Sequence, residues 1–117
     1  MMTENPALTK SFEFSLKMVA LCRKLIYENK EFVLGKQLLR CSTSIGANLE
    51  EAMGGFSRND FKYKISLSYK EARETHYWIR LLMRSQIINE EDGNAGLKDL
   101  EELLKILTAT LKTLNKV

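Results

Sequence analysis

A single proline and six glycines in 117 residues leave few points at which a helix would have to break. Proline costs a helix interior about 3 kcal/mol and glycine about 1 kcal/mol. Cysteine is equally scarce. Cys22 and Cys41 stand apart, in no CxxC spacing, which argues against a disulfide or zinc framework and predicts two small residues on apolar helix faces. One histidine, His76, and no Glu-x-x-His pair argue against the di-metal carboxylate site that a helical bundle can house. No apolar run approaches the roughly 20 residues needed to span a bilayer. The opening MMTENPALTK lacks a basic segment followed by an apolar one, so no signal peptide and no membrane contact are expected, and the cytoplasm is the expected compartment. The net charge of +3 is too small to specify a nucleic-acid partner, so charge distribution has to decide that.

What is present is 44% apolar and 28% charged residues arranged with helical periodicity. The length suits one domain over residues 1–117 with one core. After a short tail with Pro6, a first helix is predicted over about 11–29. Phe14, Met18, Leu21 and Leu25 make one apolar seam, and Phe12, Leu16, Val19 and Ile26 make a second on another face. A helix apolar over most of its circumference is buried on several sides, and a chain this short offers little to cover the second seam. A partner chain is expected there.

A break near 29–32 leads to a second helix, about 33–53, with the seam Leu34, Leu38, Cys41, Ile45, Leu49 and Ala52. Beside it Gln37, Arg40, Ser44, Asn48 and Glu51 form a polar stripe at helical spacing. Ser42, Thr43, Gly46 and Ala47 keep this helix slim, so that another backbone can approach. Gly54-Gly55 is expected to end it through a left-handed C′ glycine. Ser57 then reads as an N-cap with Asp60 at N3, and Phe56 with Phe61 as a hydrophobic staple.

The third helix, about 58–86, has the core seam Phe61, Ile65, Ser68, Ala72, Thr75, Ile79 and Leu82. Another face carries Lys62, Tyr69, Arg73, Arg80 and Arg84, with Tyr77 at its edge; a third carries Tyr63, Leu67, Glu71, Glu74, Trp78 and Leu81. Seven cations against three carboxylates make this element more positive than the whole chain. A polar turn, Asn89–Gly93, precedes a fourth helix over about 94–114, whose leucines at 97, 100, 104, 107, 111 and 114 repeat as a heptad seam widened by Leu103 and Ile106. Four amphipathic helices with short connections predict an all-α, antiparallel up-down-up-down four-helix bundle.

Chemistry finds little purchase. Nucleophilic catalysis needs an activated serine or cysteine beside a base, and Ser44 with His76 has neither a strained elbow nor a glycine-rich loop to support it. Gly54-Gly55 lacks the Lys-Ser/Thr of a phosphate loop. No catalytic residue, metal ligand or cofactor is expected. Arg40, Ser44, Asn48 and Glu51 have a structural reading, in which they hydrogen-bond among themselves and to the Glu71/Glu74 face and fix register, and a functional one as a pocket lining. The basic row is either a solvated face or a phosphate-contacting surface in which Tyr69 and Tyr77 stack.

Ser44-Ile45-Gly46-Ala47-Asn48, Glu51-Ala52, Ser57, Asp60-Phe61, Lys70-Glu71-Ala72, Glu74-Thr75 and Tyr77-Trp78 together resemble a bacterial family, the four-helix proteins related to the 23S rRNA intervening-sequence protein, also labelled S23-type ribosomal proteins. The chain departs from the commonest pattern at Gly46, where many relatives have proline, and at Met53–Phe56, where others carry a basic turn. The resemblance implies a small cytoplasmic protein assembled as a homopentameric ring. A more distant branch, the accessory variability determinant of diversity-generating retroelements, binds nucleic acid and a reverse transcriptase, which implies a basic surface acting as an adaptor. The expected function is therefore a non-catalytic oligomeric adaptor associated with structured RNA or DNA. A scaffold that recruits another protein without touching nucleic acid is the alternative.

Overall fold

The computed structural model describes residues 5–116. They form α1 (Pro6–Arg23), a π-helical turn (Lys24–Glu28), α2 (Phe32–Met53), α3 (Arg58–Arg84) and α4 (Glu90–Leu114), with no strand among the described residues. The helices close a ring of contacts, each against its chain neighbours and α1 against α4, in a body of 46 × 25 × 24 Å.

Three helix boundaries differ from the sequence reading, each for a local reason. α1 starts at Pro6 and not near residue 11, because the Asn5 side chain accepts from the Ala7 backbone N–H at 3.0 Å. Proline at the first helical position loses no hydrogen bond that the helix would have made. α4 starts at Glu90, so the stretch read as a turn is its first helical turn, capped by Asn89 accepting from the Asp92 N–H at 2.7 Å. Gly93 lies inside this helix because a Cβ there would stand 2.5 Å from the Met83 sulfur. α3 stops at Arg84, where Gln86 turns left-handed at φ 66° and Ile87 and Ile88 return their N–H groups to the Leu82 carbonyl.

The π-helical turn changes which residues of the first helix are buried. The Asn29 N–H reaches back five residues to the Lys24 carbonyl at 3.1 Å, and the Glu31 N–H six residues to Leu25 at 2.9 Å. This widened turn shifts the phase of the helix. Ser11, Phe14, Met18 and Cys22 are buried at ordinary spacing, and then Leu25 and Ile26 are buried side by side. Ile26 therefore leaves the second seam, to which periodicity assigned it, and enters the core against Gly35. Phe12 and Leu16 stay 63% and 58% exposed, and Val19 is exposed with them.

The remaining core follows the seams. Leu38, Cys41, Ile45, Leu49 and Ala52 of α2 are buried, as are Ile65, Ala72, Ile79 and Leu82 of α3 and Leu100, Leu103 and Leu107 of α4. Burying each large aliphatic side chain is worth about 1.5–3 kcal/mol. Small residues set the helix spacing. Ser11 and Ser15 of α1 lie 3.3 and 3.5 Å from where a Gly46 Cβ would be, so the backbone that approaches the slim stretch of α2 is α1. The buried Ser68 hydroxyl donates across to the Ile45 carbonyl at 2.8 Å.

The α2–α3 corner departs from expectation in two respects. No glycine has a positive φ; Gly54 sits at −93°. Crowding favours glycine at 55 instead, since a Cβ there would meet the Ala52 carbonyl and Asp60 Cβ at a tight 3.3 Å. Ser57 does cap α3, accepting from the Asp60 N–H at 3.1 Å. Phe56, however, is 100% exposed, so no staple forms, and Phe61 packs on the core without it. Arg58 closes this end by donating to the Leu114 carbonyl at 2.7 Å.

Candidate nucleic-acid interface

The outer row of α3 places Lys62, Arg73, Arg80 and Arg84 along one side of the helix, with Tyr77 at its edge. Arg73, Arg80, Arg84 and Tyr77 are exposed, while Lys62 is half-buried. Tyr69 is not available with them: it is half-buried and packs against the hydrophobic core. Among the described residues the ion-paired cations lie elsewhere, at Lys10–Glu102, Lys17–Asp99, Arg40–Glu71/Glu74 and Lys64–Glu51. Lys62, Arg73, Arg80 and Arg84 have no carboxylate in that set.

Arg80 is held in place without being neutralised. Its Nε donates to His76 Nδ1 at 3.0 Å, and His76 Nε2 faces Glu101 Oε2 at 3.2 Å. A nitrogen that accepts from arginine carries no proton, so the hydrogen of the neutral ring is on Nε2 and is donated to Glu101. Among the described residues no hydrogen bond or ion pair engages the two terminal amines of Arg80. Beside them lies a shallow hollow of about 450 Å³ between α3 and α4, lined by Tyr77, Arg80, Leu81, Met83, Arg84 and Leu97. Leu81 and Leu97 were assigned to other faces by periodicity. The N-cap at Asn89 is the signal that would have brought Leu97 beside the end of α3, since it starts α4 one turn early. A larger cleft of about 690 Å³ opens at the α3–α4 corner; Arg84, which borders both spaces without an ion pair among the described residues, lines it together with Lys24, Glu90 and Asp92. The balanced charge of this cleft favours no anion.

The polar stripe of α2 divides. Arg40 reaches Glu71 at 3.3 Å and Glu74 at 2.8 Å, and the Trp78 indole donates to Glu74 at 3.0 Å. The Trp78 hydrogen bond and then Arg40 hold the Glu74 carboxyl below its ordinary pKa, and the bond to Glu74 raises that of Arg40. Ser44 and Asn48 turn back onto their own helix, donating to the Arg40 and Ser44 carbonyls at 2.6 and 2.8 Å. Glu51 pairs with Lys64, and Gln37 is exposed. The stripe thus forms a tie between α2 and α3 with its ends on the surface, and no enclosed pocket.

Neither serine nor cysteine chemistry is assembled. The Ser44 hydroxyl donates to Arg40, and both His76 nitrogens face other groups. Burial pushes the Cys22 thiol up to about 12 and the Cys41 thiol to about 11, so both stay protonated at neutral pH. No three His, Cys, Asp or Glu side chains converge as a metal site among the described residues. No helix among them is long and apolar enough to cross a membrane.

Four helices without strands, tied by a polar seam and carrying an unpaired arginine row, define an all-α helical protein with no assembled reaction centre among the described residues. The model of the 23S rRNA-intervening sequence protein family matches residues 3–109, and the chain belongs to that family. It is similar, at 43% identity and a TM-score of 0.88, to a crystal structure from Bacteroides thetaiotaomicron described as a protein of unknown function from the S23 ribosomal protein family. That match covers 91% of this chain and 98% of the other. No curated protein matches the chain. Neither family description names a catalytic activity.

Proposed function

We propose that this protein is a non-catalytic, self-assembling adaptor that contacts RNA or DNA through the outer row of α3. The observation that carries this reading is the row of Arg73, Arg80 and Arg84 beside the exposed Tyr77. These three exposed arginines enter no ion pair among the described residues, whereas Lys10, Lys17, Arg40 and Lys64 are tied to carboxylates of other helices. Guanidinium groups match phosphate oxygens bidentately, so phosphate is the ligand such a row suits.

The architecture proposed with it is an antiparallel up-down-up-down bundle. Its support is the order of the cross-helix pairs. Lys10 meets Glu102 where Lys17 meets Asp99, Arg40 meets Glu74 where Glu51 meets Lys64, and Arg58 meets Leu114 where His76 meets Glu101. Numbers rise on one helix as they fall on its neighbour. The exposed apolar seam Phe12, Leu16 and Val19 supports self-association, and the family resemblance supports a cytoplasmic homopentameric ring. Such a ring would multiply the basic row several-fold.

Titrating binding of a labelled structured RNA and of duplex DNA against salt tests the nucleic-acid part. Affinity is expected to fall steeply, with log K linear in log salt. Arg73→Glu with Arg80→Glu is expected to weaken binding by about tenfold or more and to flatten the salt slope by about two, with helicity unchanged. Absent or salt-insensitive binding refutes the proposal.

A second reading, a scaffold that recruits a protein, is favoured by one observation. Tyr27, Phe32 and Val33 are all exposed around the α1–α2 corner. Retention of a partner after nuclease treatment, lost in Phe32→Ser with Val33→Ser, would favour it over the first.

A further inference from the structure

We propose that the hollow between α3 and α4 takes one unpaired nucleotide, with its base on Tyr77 and its phosphate between Arg80 and Arg84. This rests on the nucleic-acid reading and narrows it, from any phosphate backbone to single-stranded segments, loops or bulges. Four observations converge. The hollow holds about 450 Å³, within the roughly 300–1,000 Å³ typical of small-ligand sites. Tyr77 stands half-exposed at its rim, braced edge-on by Trp78 with ring centroids 5.3 Å apart, and Trp78 is itself tied to Glu74. An aromatic ring fixed in this way has already lost the freedom that stacking would cost it. The walls formed by Leu81, Met83 and Leu97 are apolar, which suits the face of a base and does nothing for a phosphate.

The cations complete the match. Arg80 is oriented by His76, which in turn is oriented by Glu101, so the guanidinium presents its terminal amines in a set direction. Arg84 follows one helical turn later on the same side. Stiff duplex backbone offers phosphates but buries its bases in the stack. A site with both an aromatic face and paired guanidinium groups therefore discriminates in favour of a nucleotide whose base is free.

The test compares a single-stranded uridine dodecamer with a blunt RNA duplex of equal length, both fluorescein-labelled, against the wild-type protein, Tyr77→Leu, Tyr77→Phe and the Arg73→Glu/Arg80→Glu variant. Tyr77 is outside the core, and circular dichroism confirms that the variants fold. Tyr77→Leu is expected to lose about tenfold in single-strand affinity, since stacking is worth about 1–3 kcal/mol per base, while duplex affinity changes less than about twofold. Tyr77→Phe is expected to retain wild-type behaviour. If Tyr77→Leu leaves single-strand binding intact, or lowers both substrates equally, the hollow is not a nucleotide site. In that case weakening by the double arginine variant still upholds the broader reading. If the wild-type protein binds neither substrate, both proposals fall.

Discussion

Glu74 is the residue on which the polar seam between α2 and α3 converges, because it accepts from Trp78 on its own helix and from Arg40 on the other. Its depressed pKa sets the sign of a pH effect. A carboxyl whose folded pKa lies below its unfolded one contributes stability that is present above the unfolded value and lost as pH falls through the folded value. Glu74→Gln is therefore expected to destabilise the protein at pH 7 and to lose that deficit on acidification below the ordinary carboxylate range. The side chains of Arg40 and Glu74 are half and more than a third exposed, so solvent screening limits the effect at pH 7 to roughly 0.2–1 kcal/mol. Urea unfolding of both proteins at pH 7 and pH 3 reads the difference; a gap that widens in acid would contradict the assignment. The same seam shows what sequence could and could not say. Helical spacing brought Arg40 opposite Glu71 and Glu74, but a stripe on a helical wheel does not reveal that Ser44 and Asn48 are satisfied by their own backbone. Short polar side chains in a helix have that local option, and spacing is blind to it.

At the scale of elements, the π-helical turn at Lys24–Glu28 and Gly35 form one device. The extra residue in the turn drives Ile26 inward, and Gly35 makes room for it, since a Cβ on Gly35 would lie 2.8 Å from Ile26 Cγ1. Ile26 is β-branched and stiff, so it cannot rotate away cheaply. Gly35→Ala gains helix propensity of about 1 kcal/mol but is expected to destabilise overall by about 1–3 kcal/mol through overpacking. In Gly35→Ala with Ile26→Ala the two changes should cost less together than the sum of the single variants. Thermal unfolding of the four proteins in the cycle measures this, and additive losses would show that the two residues do not share a site. Sequence reasoning found the α3 seam from Phe61 to Leu82 because a long unbroken helix keeps its 100° per residue. It misassigned Ile26 because a π-helical turn resets that phase with no residue type to announce it. The start of α4 was lost to a similar ambiguity: Asp92-Gly93 is a turn signal, and only the packing of Met83 shows why a glycine sits inside a helix. For the basic row, periodicity grouped Tyr69 with Tyr77, yet Tyr69 packs against the core and Tyr77 is half-exposed. Pattern fixes angle around a helix, while burial depends on what the neighbouring helices place beside that angle.

For the molecule as a whole, the question is what covers the outer face of α1. Phe12 and Leu16 are more than half exposed, and Val19 extends their row on one side of α1. Phe12 also borders a groove whose floor is made of small residues, Ser11, Ser15, Thr43, Gly46 and Ala47, with Leu8 and Glu50 beside them, so that there is room for a side chain from outside. A protruding ring beside a small-residue groove is the kind of surface that head-to-tail association between identical chains can use, and such contacts close into rings when the rotation permits. Burying Phe12 and Leu16 at each interface would contribute about 1.5–3 kcal/mol per side chain, enough that removing both should dissociate the assembly. Phe12→Ser with Leu16→Glu is expected to keep the helical content, since both side chains are more than half exposed, and to lower the mass measured by light scattering at micromolar concentration from that of the proposed pentamer to that of one chain. The variant also separates assembly from recognition. If copies acting together make a modest basic row effective, the dissociated chain should bind RNA more weakly and with a shallower salt dependence, although every arginine of α3 is intact. A wild-type protein that is monomeric at micromolar concentration would remove the ring, and with it the multiplication of charge on which strong binding by so small a stripe depends.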